Sequence, residues 1–342
     1  MKAIGAYKAL PIDDPESLVE VDIAMPQAAG RDLLVQVKAV SVNPVDIKTR
    51  QRLSGEQTEP HILGYDAAGI VTAVGPDVSL FKVGDEVYYA GDITRPGCDS
   101  QYHLVDERIV GHKPASLSFE QAAAMPLTSI TAWEALFERL GVPQSPAANT
   151  GQSVLIIGGA GGVGSIAIQM AKKLAGLRVI ATASRPESAA WCRELGADEI
   201  IDHHQPFSEQ LKRVGLNEVD TILCFNSLET HAQNMSEVIK PQGKICSIVG
   251  TAHNQPLNVN LFFGKSVALM WELMFTRARY QTPDMQQQHY LLNETARLLD
   301  KGVLRTTLTE HYGPLTAETL RQAHARLETG AMIGKLVLSG FN

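Results

Sequence analysis

The feature that most constrains this chain is a glycine-rich turn between an apolar segment and a helix-forming one. In VLIIGGAGGVGSIAIQMAKKL, Gly159, Gly161 and Gly164 match the pattern G-x-G-x-x-G. One glycine allows a tight bend, one lets the backbone approach a pyrophosphate, and one lets helix and strand pack closely. The helix that follows offers free N–H groups and the positive end of its dipole to a phosphate. We therefore predict a dinucleotide-binding turn rather than a purely structural one, formed by Gly159, Ala160, Gly161, Gly162, Val163 and Gly164.

Strand-like and helix-like segments alternate around this turn. Apolar strand candidates begin at Ser153, Arg178, Glu199, Asp220 and Lys244, with helical segments between them. Such βαβ alternation builds a parallel sheet that is covered by helices on both faces. The sequence therefore predicts a doubly wound α/β domain of the Rossmann type.

The first 125 residues have a different pattern, which is typical of short strands. Residues 33–42 and 67–75 are apolar or alternating and rich in β-branched side chains. Gly-Pro, Gly-Asp and Pro-Gly pairs at 75–76, 84–85 and 96–97 indicate turns between strands. We predict a small, irregular β-barrel in this region, joined to the α/β domain without a proline-rich linker.

The end of the second α/β strand distinguishes between the two nicotinamide cofactors. An acidic residue about 20 positions after the glycine motif would bind the ribose 2′-hydroxyl of NAD. Ser184 and Arg185 stand there instead, and a hydroxyl and a guanidinium suit a 2′-phosphate. The alternative is an ordinary exposed arginine at a helix start. The position favours NADP(H) as the cofactor.

Length and charge exclude several classes of protein. The 342 residues suggest two domains, and 30 Lys and Arg against 37 Asp and Glu leave a formal charge of −7. Such a balance provides no basic surface for a nucleic acid or an anionic membrane. Apolar runs are too short to span a bilayer, and the N-terminus lacks the apolar core of a signal peptide. We expect a cytoplasmic protein without nucleic-acid or membrane partners.

The cysteines and histidines show no metal-ligand spacing. The four cysteines, Cys98, Cys192, Cys224 and Cys246, contain no CxxC pair, so we expect ordinary semi-buried thiols rather than a zinc cluster or a disulfide framework. His203 and His204 are adjacent, and neighbours in a regular element point to different sides. We expect both to be surface residues.

Several motifs in a fixed order carry a family resemblance over nearly the whole chain. They are SVNPVDIKTR, ILGYDAAGIVTAVG, VGDEVYY, PLTSITAWEAL, GGAGGVGSIAIQMAK and the terminal GKLVL. With them the chain resembles the medium-chain dehydrogenase/reductase superfamily. Within that superfamily it is most similar to the zinc-free quinone oxidoreductase branch and to proteins called zinc-type alcohol dehydrogenase-like.

The resemblance implies a fold and an assembly. A GroES-like catalytic domain would comprise residues 1–126 and 276–342, and a Rossmann domain residues 127–275, with the nicotinamide held in the cleft between them. Family members often form homodimers by joining their Rossmann sheets edge to edge. SVALMWELMF, Ser266 to Phe275, is an edge-strand candidate for such a homodimer, and a buried core strand is the alternative.

The resemblance also supplies positions at which alcohol dehydrogenases hold their catalytic zinc. On this chain those positions carry Asn43, Tyr65 and, near the third, Leu127. Thiolate, imidazole and carboxylate are the usual zinc ligands, whereas amide, phenol and aliphatic groups are not. The four clustered cysteines of the family's structural zinc lobe are also missing. We therefore predict no zinc at either place.

Asn43, Asp46, Lys48 and Tyr65 are the predicted catalytic residues. Asn43 and Tyr65 are placed to donate hydrogen bonds to a substrate oxygen that gains negative charge as a hydride arrives. Asp46 would orient Lys48 or contact the cofactor. Thr128 and Thr131 would bind the carboxamide or ribose, and the predicted cofactor site also includes Asn226, Gly250 and Lys335. The alternatives are a structural turn acid for Asp46, a surface charge for Lys48 and a helix-interior hydroxyl for Thr131.

Taken together, the residues and the resemblance imply an NADPH-dependent reductase of quinones or α,β-unsaturated carbonyl compounds. Two alternatives are a zinc-type alcohol dehydrogenase, which the missing ligands oppose, and an NADPH-binding protein with a structural or regulatory role. The physiological substrate depends on loops such as Gln51 to Glu59 and Asn254 to Gly264, which the sequence leaves undefined.

Overall fold

The computed structural model describes residues 1–250 and 256–341. They form two compact units, Met1–Ile130 with Phe275–Asn342, and Thr131–Met274. The first two residues of the predicted substrate loop 254–264 lie outside the described residues.

Strands and helices are numbered in chain order. The strands are β1 Lys2–Ala6, β2 Val19–Asp22, β3 Asp32–Ser41, β4 His61–Ile62, β5 Ala67–Val74, β6 Glu86–Tyr89, β7 Tyr102–Asp106, β8 Val110–His112, β9 Ser153–Ile157, β10 Arg178–Thr182, β11 Glu199–Ile201, β12 Val219–Cys224, β13 Ile239–Ser247, β14 Ala268–Trp271, β15 Leu308–Pro314 and β16 Lys335–Ser339. The α-helices are α1 Pro44–Gln51, α2 Phe119–Ala123, α3 Pro126–Trp133, α4 Gly162–Lys173, α5 Pro186–Leu195, α6 Phe207–Arg213, α7 Leu228–Val238, α8 Asn260–Phe263, α9 Thr276–Tyr280, α10 Gln287–Asp300 and α11 Ala317–Glu328. Glu134–Arg139 form a π-helical turn, and Glu107–Ile109 and Pro146–Asn149 form 3-10 turns.

The first unit is built on two sheets. A three-stranded antiparallel sheet has the order β2-β1-β4, and a seven-stranded sheet has the order β15-β16-β3-β5-β6-β8 with β7 also paired to β3. The predicted strands 33–42 and 67–75 are β3 and β5, which pair antiparallel. Their apolar side chains, among them Val35, Val37 and Val71, lie in the core of this unit. The predicted β-rich first domain is confirmed.

The second unit contains one parallel sheet with the strand order β11-β10-β9-β12-β13-β14. The order reverses between β9 and β12, which is the arrangement of a doubly wound sheet. Ligands of such sheets bind outside the carboxyl ends of the strands at that reversal. The predicted Rossmann-type fold is confirmed, and the glycine-rich turn follows β9, at the reversal.

Strand β14 is the last strand of this sheet within the described residues. It lies inside the predicted segment Ser266 to Phe275, so the prediction of an edge strand is confirmed. The Trp271 side chain is 51% exposed and Leu273 is 48% exposed, which does not fit the alternative of a buried core strand. Separately, no helix among the described residues is both long and apolar enough to cross a membrane.

Candidate active site

The predicted cofactor residues of the second unit gather at one edge of the parallel sheet. The glycine turn follows β9, Ser184 and Arg185 follow β10, Asn226 follows β12 and Gly250 follows β13. These four strands are neighbours in the sheet and run parallel, so their carboxyl ends lie side by side. Asn226 and Gly250 are not buried there, and the Asn226 side-chain oxygen accepts a hydrogen bond from the Ser227 hydroxyl at 2.9 Å.

The glycine turn is tight, and two of its glycines have no room for a side chain. A Cβ on Gly159 would lie 2.8 Å from the Ala181 Cβ, and one on Gly164 would lie 2.2 Å from the Gly158 carbonyl oxygen. Gly164 thus allows helix and turn to pack closely, as predicted. The residue with positive φ is Gly158, at +86°, which immediately precedes the motif.

Gly161 differs from the other two motif glycines. Its φ of −70° and ψ of 174° suit any residue, and a Cβ would meet only the Gly158 oxygen, at 3.6 Å. No steric demand of the protein itself explains a glycine there. A glycine there leaves the backbone open to close approach by a ligand.

The start of α4 is suited to an anion. Its N-cap is Gly161, and its first turn contains Gly162, Val163 and Gly164, so no side chain caps these N–H groups and no carboxylate belongs to that turn. Free N–H groups and the helix dipole together attract phosphate.

Arg185 is the N-cap residue of α5 and contacts two residues of the first turns of that helix. Its guanidinium donates a hydrogen bond to the Ser188 hydroxyl at 3.1 Å and lies 3.5 Å from the Glu187 carboxylate. The Arg185 side chain is partly exposed and Ser184 is exposed. Glu187 is an acidic group near the predicted 2′-phosphate position, which sequence reasoning did not take into account. A phosphate there would have to compete with Glu187 for the guanidinium.

Thr128 and Thr131 are both buried on α3. The Thr128 hydroxyl donates to the backbone oxygen of Met125, which immediately precedes the helix, at 3.2 Å. A hydroxyl that bonds a backbone oxygen of the preceding turn is typical of a structural residue in a helix. The sequence suggests that alternative for Thr131, and the bond is observed for Thr128.

In the first unit, Asn43 is fully engaged by the protein. Its side-chain nitrogen donates to the backbone oxygens of Ser41 and Tyr65, at 3.2 and 3.3 Å, and to the Asp66 carboxylate at 3.0 Å. Its side-chain oxygen accepts from the Lys335 ammonium. The predicted role of Asn43 as a donor to substrate therefore needs correction, because both amide protons are already used. Asn43 instead fixes its neighbours.

Lys335 is buried in this same cluster. Its Nζ contacts the Val42 backbone oxygen at 3.2 Å, the Asn43 side-chain oxygen and the Asp66 carboxylate at 3.1 Å. Three acceptors match the three protons of an ammonium. Lys335 was predicted to bind the cofactor, and this too needs correction, because all of its donors point into the protein.

Asp46 is buried at the start of α1 and acts as a capping residue. One oxygen accepts from the Asn43 backbone N–H at 2.6 Å and the other from the Gly64 N–H at 3.3 Å. Within the described residues it does not pair with Lys48, which is exposed. The predicted Asp46–Lys48 arrangement is therefore wrong, since the carboxylate faces inward and the ammonium faces solvent. Burial raises the pKa of Asp46 to about 7, against the opposing effect of the Asn43 N–H.

Tyr65 lies in the same cluster and is 1% exposed, with its ring edge-to-face on Phe275 at 5.4 Å between centroids. Among the described residues its hydroxyl has no hydrogen-bond partner. Burial, with the nearby Asp46 and Cys98, raises the pKa of Tyr65 far above its usual value, so the phenol keeps its proton. Burying a hydroxyl without a hydrogen-bond partner costs free energy. A ligand that accepts a hydrogen bond from the Tyr65 hydroxyl would remove that cost.

Sequence reasoning missed three buried groups near Tyr65. Asp66 and Asp99 are buried carboxyl groups, and burial raises the pKa of each. Cys98 is a buried thiol that contacts the Asp66 backbone oxygen at 3.6 Å. Asp66 directly follows Tyr65 in the motif GYD, which was the one signal that could have identified it.

The residues at the zinc positions do not form a zinc site. The Asn43 oxygen is bound to an ammonium, Tyr65 presents a phenol that stays protonated, and Leu127 presents an aliphatic side chain. The four cysteines are free and fully buried rather than semi-buried.

His203 and His204 do not point to different sides, and that expectation is wrong. Both follow β11 in a turn, where strand alternation does not apply, and their ring centroids lie 4.1 Å apart. With Asp202 they bring three potential metal-ligating atoms within 4.8 Å of one another. His204 is exposed and His203 half-buried, which agrees with a surface position.

Two protein families match this chain. Residues 29–132 match the alcohol dehydrogenase GroES-like domain, and residues 195–338 match the zinc-binding dehydrogenase family. A zinc-type alcohol dehydrogenase-like protein of Staphylococcus aureus is 42% identical over 340 residues, which cover 99% of this chain and 100% of the relative. An NADPH-dependent alkenal/one oxidoreductase of Arabidopsis thaliana chloroplasts is 32% identical over 242 residues, which cover 68% of this chain and 58% of the relative.

Solved structures resemble the fold over its full length. A zinc-dependent alcohol dehydrogenase candidate from Rhizobium etli has 49% identity and a TM-score of 0.95, with 100% of this chain and 98% of the other covered. The Escherichia coli quinone oxidoreductase complexed with NADPH has 26% identity and a TM-score of 0.82, with 99% of both chains covered.

Proposed function

The chain belongs to the medium-chain dehydrogenase/reductase superfamily, and we propose that it reduces quinones or α,β-unsaturated carbonyl compounds by hydride transfer from NADPH, without a catalytic metal. An alkenal/one oxidoreductase and a quinone oxidoreductase are among the proteins it is similar to.

The carboxyl edge of the parallel sheet supports a dinucleotide cofactor. The uncapped start of α4 would hold the pyrophosphate, and Gly161 would let it approach the backbone. Arg185 and Ser184 support NADP(H) over NAD(H), since no acidic residue stands at the end of β10 to bind a free 2′-hydroxyl. When bound, the cofactor would supply the hydride.

The single observation that carries the reductase proposal is the Tyr65 hydroxyl, which is buried and has no partner within the described structure. Its raised pKa keeps it a hydrogen-bond donor at neutral pH. Such a donor stabilises a carbonyl or quinone oxygen that becomes negative as a hydride reaches the conjugated carbon. Tyr65 retains its proton during this step, and the product takes its proton from solvent.

The same cluster opposes the alternative of a zinc alcohol dehydrogenase. An alcohol must lose its hydroxyl proton to be oxidised, and zinc assists by lowering the pKa of the bound oxygen. Asn43, Tyr65 and Leu127 do not provide a zinc site, so no step is assigned to a metal. Reduction of a conjugated carbonyl needs no alkoxide.

The test is NADPH oxidation against a panel of quinones and enones, with NADP-dependent oxidation of simple alcohols as the comparison. We expect turnover of at least one quinone or enone and slow or undetectable alcohol oxidation. Efficient alcohol oxidation together with no activity on the panel would refute the proposal. Tight NADPH binding without any turnover would favour a structural or regulatory role.

We also propose a homodimer joined through β14. The support is an edge strand that ends at the exposed Trp271 and is followed by the exposed Leu273, because an edge strand offers unpaired backbone groups to a second chain. Sedimentation should give a dimer, and Leu273→Lys should shift it toward the monomer. A monomeric wild-type protein would refute this.

A further inference from the structure

We propose that Lys335 and Asp66 are positioning residues: they join by hydrogen bonds the three chain segments that carry the zinc-ligand positions, and so hold Tyr65 in place. The positions concerned are those of Asn43, Tyr65 and Leu127. A metal ion would connect such segments through coordinate bonds. In this protein the buried ion pair of Lys335 and Asp66 connects the segments instead. The expected effect on kcat rests on the proposed function, and the connection itself does not.

Lys335 supplies the first half of the connection. It begins β16, lies 292 residues from Asn43 in sequence and is 4% exposed. Its ammonium binds the Val42 backbone oxygen, the Asn43 side-chain oxygen and the Asp66 carboxylate. One side chain thereby fixes the turn before α1 to the segment that contains Tyr65.

Asp66 supplies the second half. One carboxylate oxygen accepts from both Lys335, at 3.1 Å, and the Asn43 amide, at 3.0 Å. The other accepts from the Leu127 backbone N–H at 2.9 Å, near the start of α3. The ammonium and the carboxylate together therefore reach all three segments.

The connection continues to Tyr65 through Asn43. The Asn43 amide donates to the Tyr65 backbone oxygen at 3.3 Å, while its own oxygen is held by Lys335. Loss of Lys335 would leave the Asn43 amide held through its nitrogen alone, and would thereby loosen its hydrogen bond to the Tyr65 backbone. A displacement of about 1 Å at a reacting group can cost roughly a hundredfold in rate.

Lys335 would also oppose the binding of a divalent cation at this site. The Lys335 ammonium donates a hydrogen bond to the Asn43 side-chain oxygen. That oxygen is the side-chain atom at the first zinc position that could coordinate a metal. A divalent cation at the Asn43 oxygen would lie beside the Lys335 ammonium, and two neighbouring positive charges in a buried environment repel strongly. The residues of the site would therefore disfavour a divalent cation whichever metal is available.

The experiment compares Lys335→Met with Lys113→Met as a matched control. Lys113 belongs to the same unit, its side chain is 6% exposed, and it pairs with Glu86 at 3.1 Å and with two backbone oxygens. Both variants remove one nearly buried ammonium, so both should lower stability. Only Lys335→Met should lower kcat, by about tenfold to a hundredfold, with the NADPH Kd within about twofold of wild type. If Lys335→Met does not fold, Asp66→Asn carries the same kcat and Kd readouts.

A double-mutant cycle separates this inference from the proposed function, because it needs no substrate. Lys335→Met leaves the Asp66 carboxylate buried without its cation, whereas Lys335→Met with Asp66→Asn leaves two neutral groups. The double variant should therefore unfold at a higher urea concentration than Lys335→Met alone. Additive effects on stability would overturn the connection.

Equal kcat in Lys335→Met and Lys113→Met would overturn the positioning role. If the wild type reduces no quinone or enone, the proposed function fails and the cycle alone decides the connection.

Discussion

Gly161→Ala separates binding of a phosphate from the stability of the turn. The backbone of Gly161 is extended, and its nearest contact for a new Cβ is the Gly158 oxygen at 3.6 Å, so the free protein accepts alanine without strain. Alanine restricts the unfolded chain but is a poorer N-cap than glycine, so the two effects oppose each other and stability should change by less than about 1 kcal/mol. A bound pyrophosphate would instead meet that methyl group at the start of α4. Losing one charge-assisted hydrogen bond costs about 1.5–3 kcal/mol, which is about a ten- to hundredfold rise in the NADPH Kd.

Fluorescence titration with NADPH and urea unfolding measure the two effects. Gly264→Ala is the matched control, because Gly264 has a negative φ and open space around it in the same unit. It should leave the NADPH Kd unchanged and should stabilise the fold by no more than about 1 kcal/mol. Gly164→Ala should instead lower stability, since its Cβ would lie 2.2 Å from a backbone oxygen. Unchanged NADPH affinity in a folded Gly161→Ala protein would refute the placement of the phosphate.

Three further outcomes are expected. Tyr65→Phe should lower kcat for an enone or quinone by about a hundred- to a thousandfold without weakening NADPH binding, and full turnover in steady-state kinetics would remove Tyr65 from the mechanism. Arg185→Ala should reduce the preference for NADPH over NADH by about tenfold or more, measured as a ratio of Kd values, and an unchanged ratio would count against the 2′-phosphate site. Burial lowers the pKa of His324 from 6.5 to about 3. Between these two pH values the imidazole is protonated in the unfolded chain and neutral in the folded one. Stability should therefore fall as pH drops below about 6.5, by up to about 1.4 kcal/mol per pH unit from this residue. His324→Leu should flatten that dependence in urea unfolding at several pH values, and an identical slope would refute it.

The local parts of the site could be predicted from sequence. The glycine turn and the α/β alternation follow from spacing and apolar periodicity, the edge strand β14 follows from the family resemblance, and all three are confirmed as structural elements. Ser184 and Arg185 follow β10 for the same reason. Their preference for NADP(H) stays a prediction.

The buried cluster could not be predicted, because its partners are distant in sequence. Nothing near GKLVL indicates that Lys335 reaches Asn43, so the sequence does not distinguish a buried structural lysine from a cofactor ligand. Once Lys335 and Asp66 are known to surround it, Asn43 has no proton left for a substrate. Asp46 and Lys48 are close in sequence, which suggests a pair, whereas in the fold Asp46 is buried and Lys48 is exposed.

Turnover measured alongside metal content tests the central claim most directly. The protein is dialysed against a strong chelator, its zinc content is determined, and NADPH oxidation with an active quinone or enone is followed before and after zinc is added. His203→Ala with His204→Ala serves as a control, because those residues could hold a surface ion without affecting catalysis. We predict full turnover per chain with far less than one zinc per chain and no gain on adding zinc. Turnover that falls with zinc removal and returns in proportion to added zinc would contradict the account.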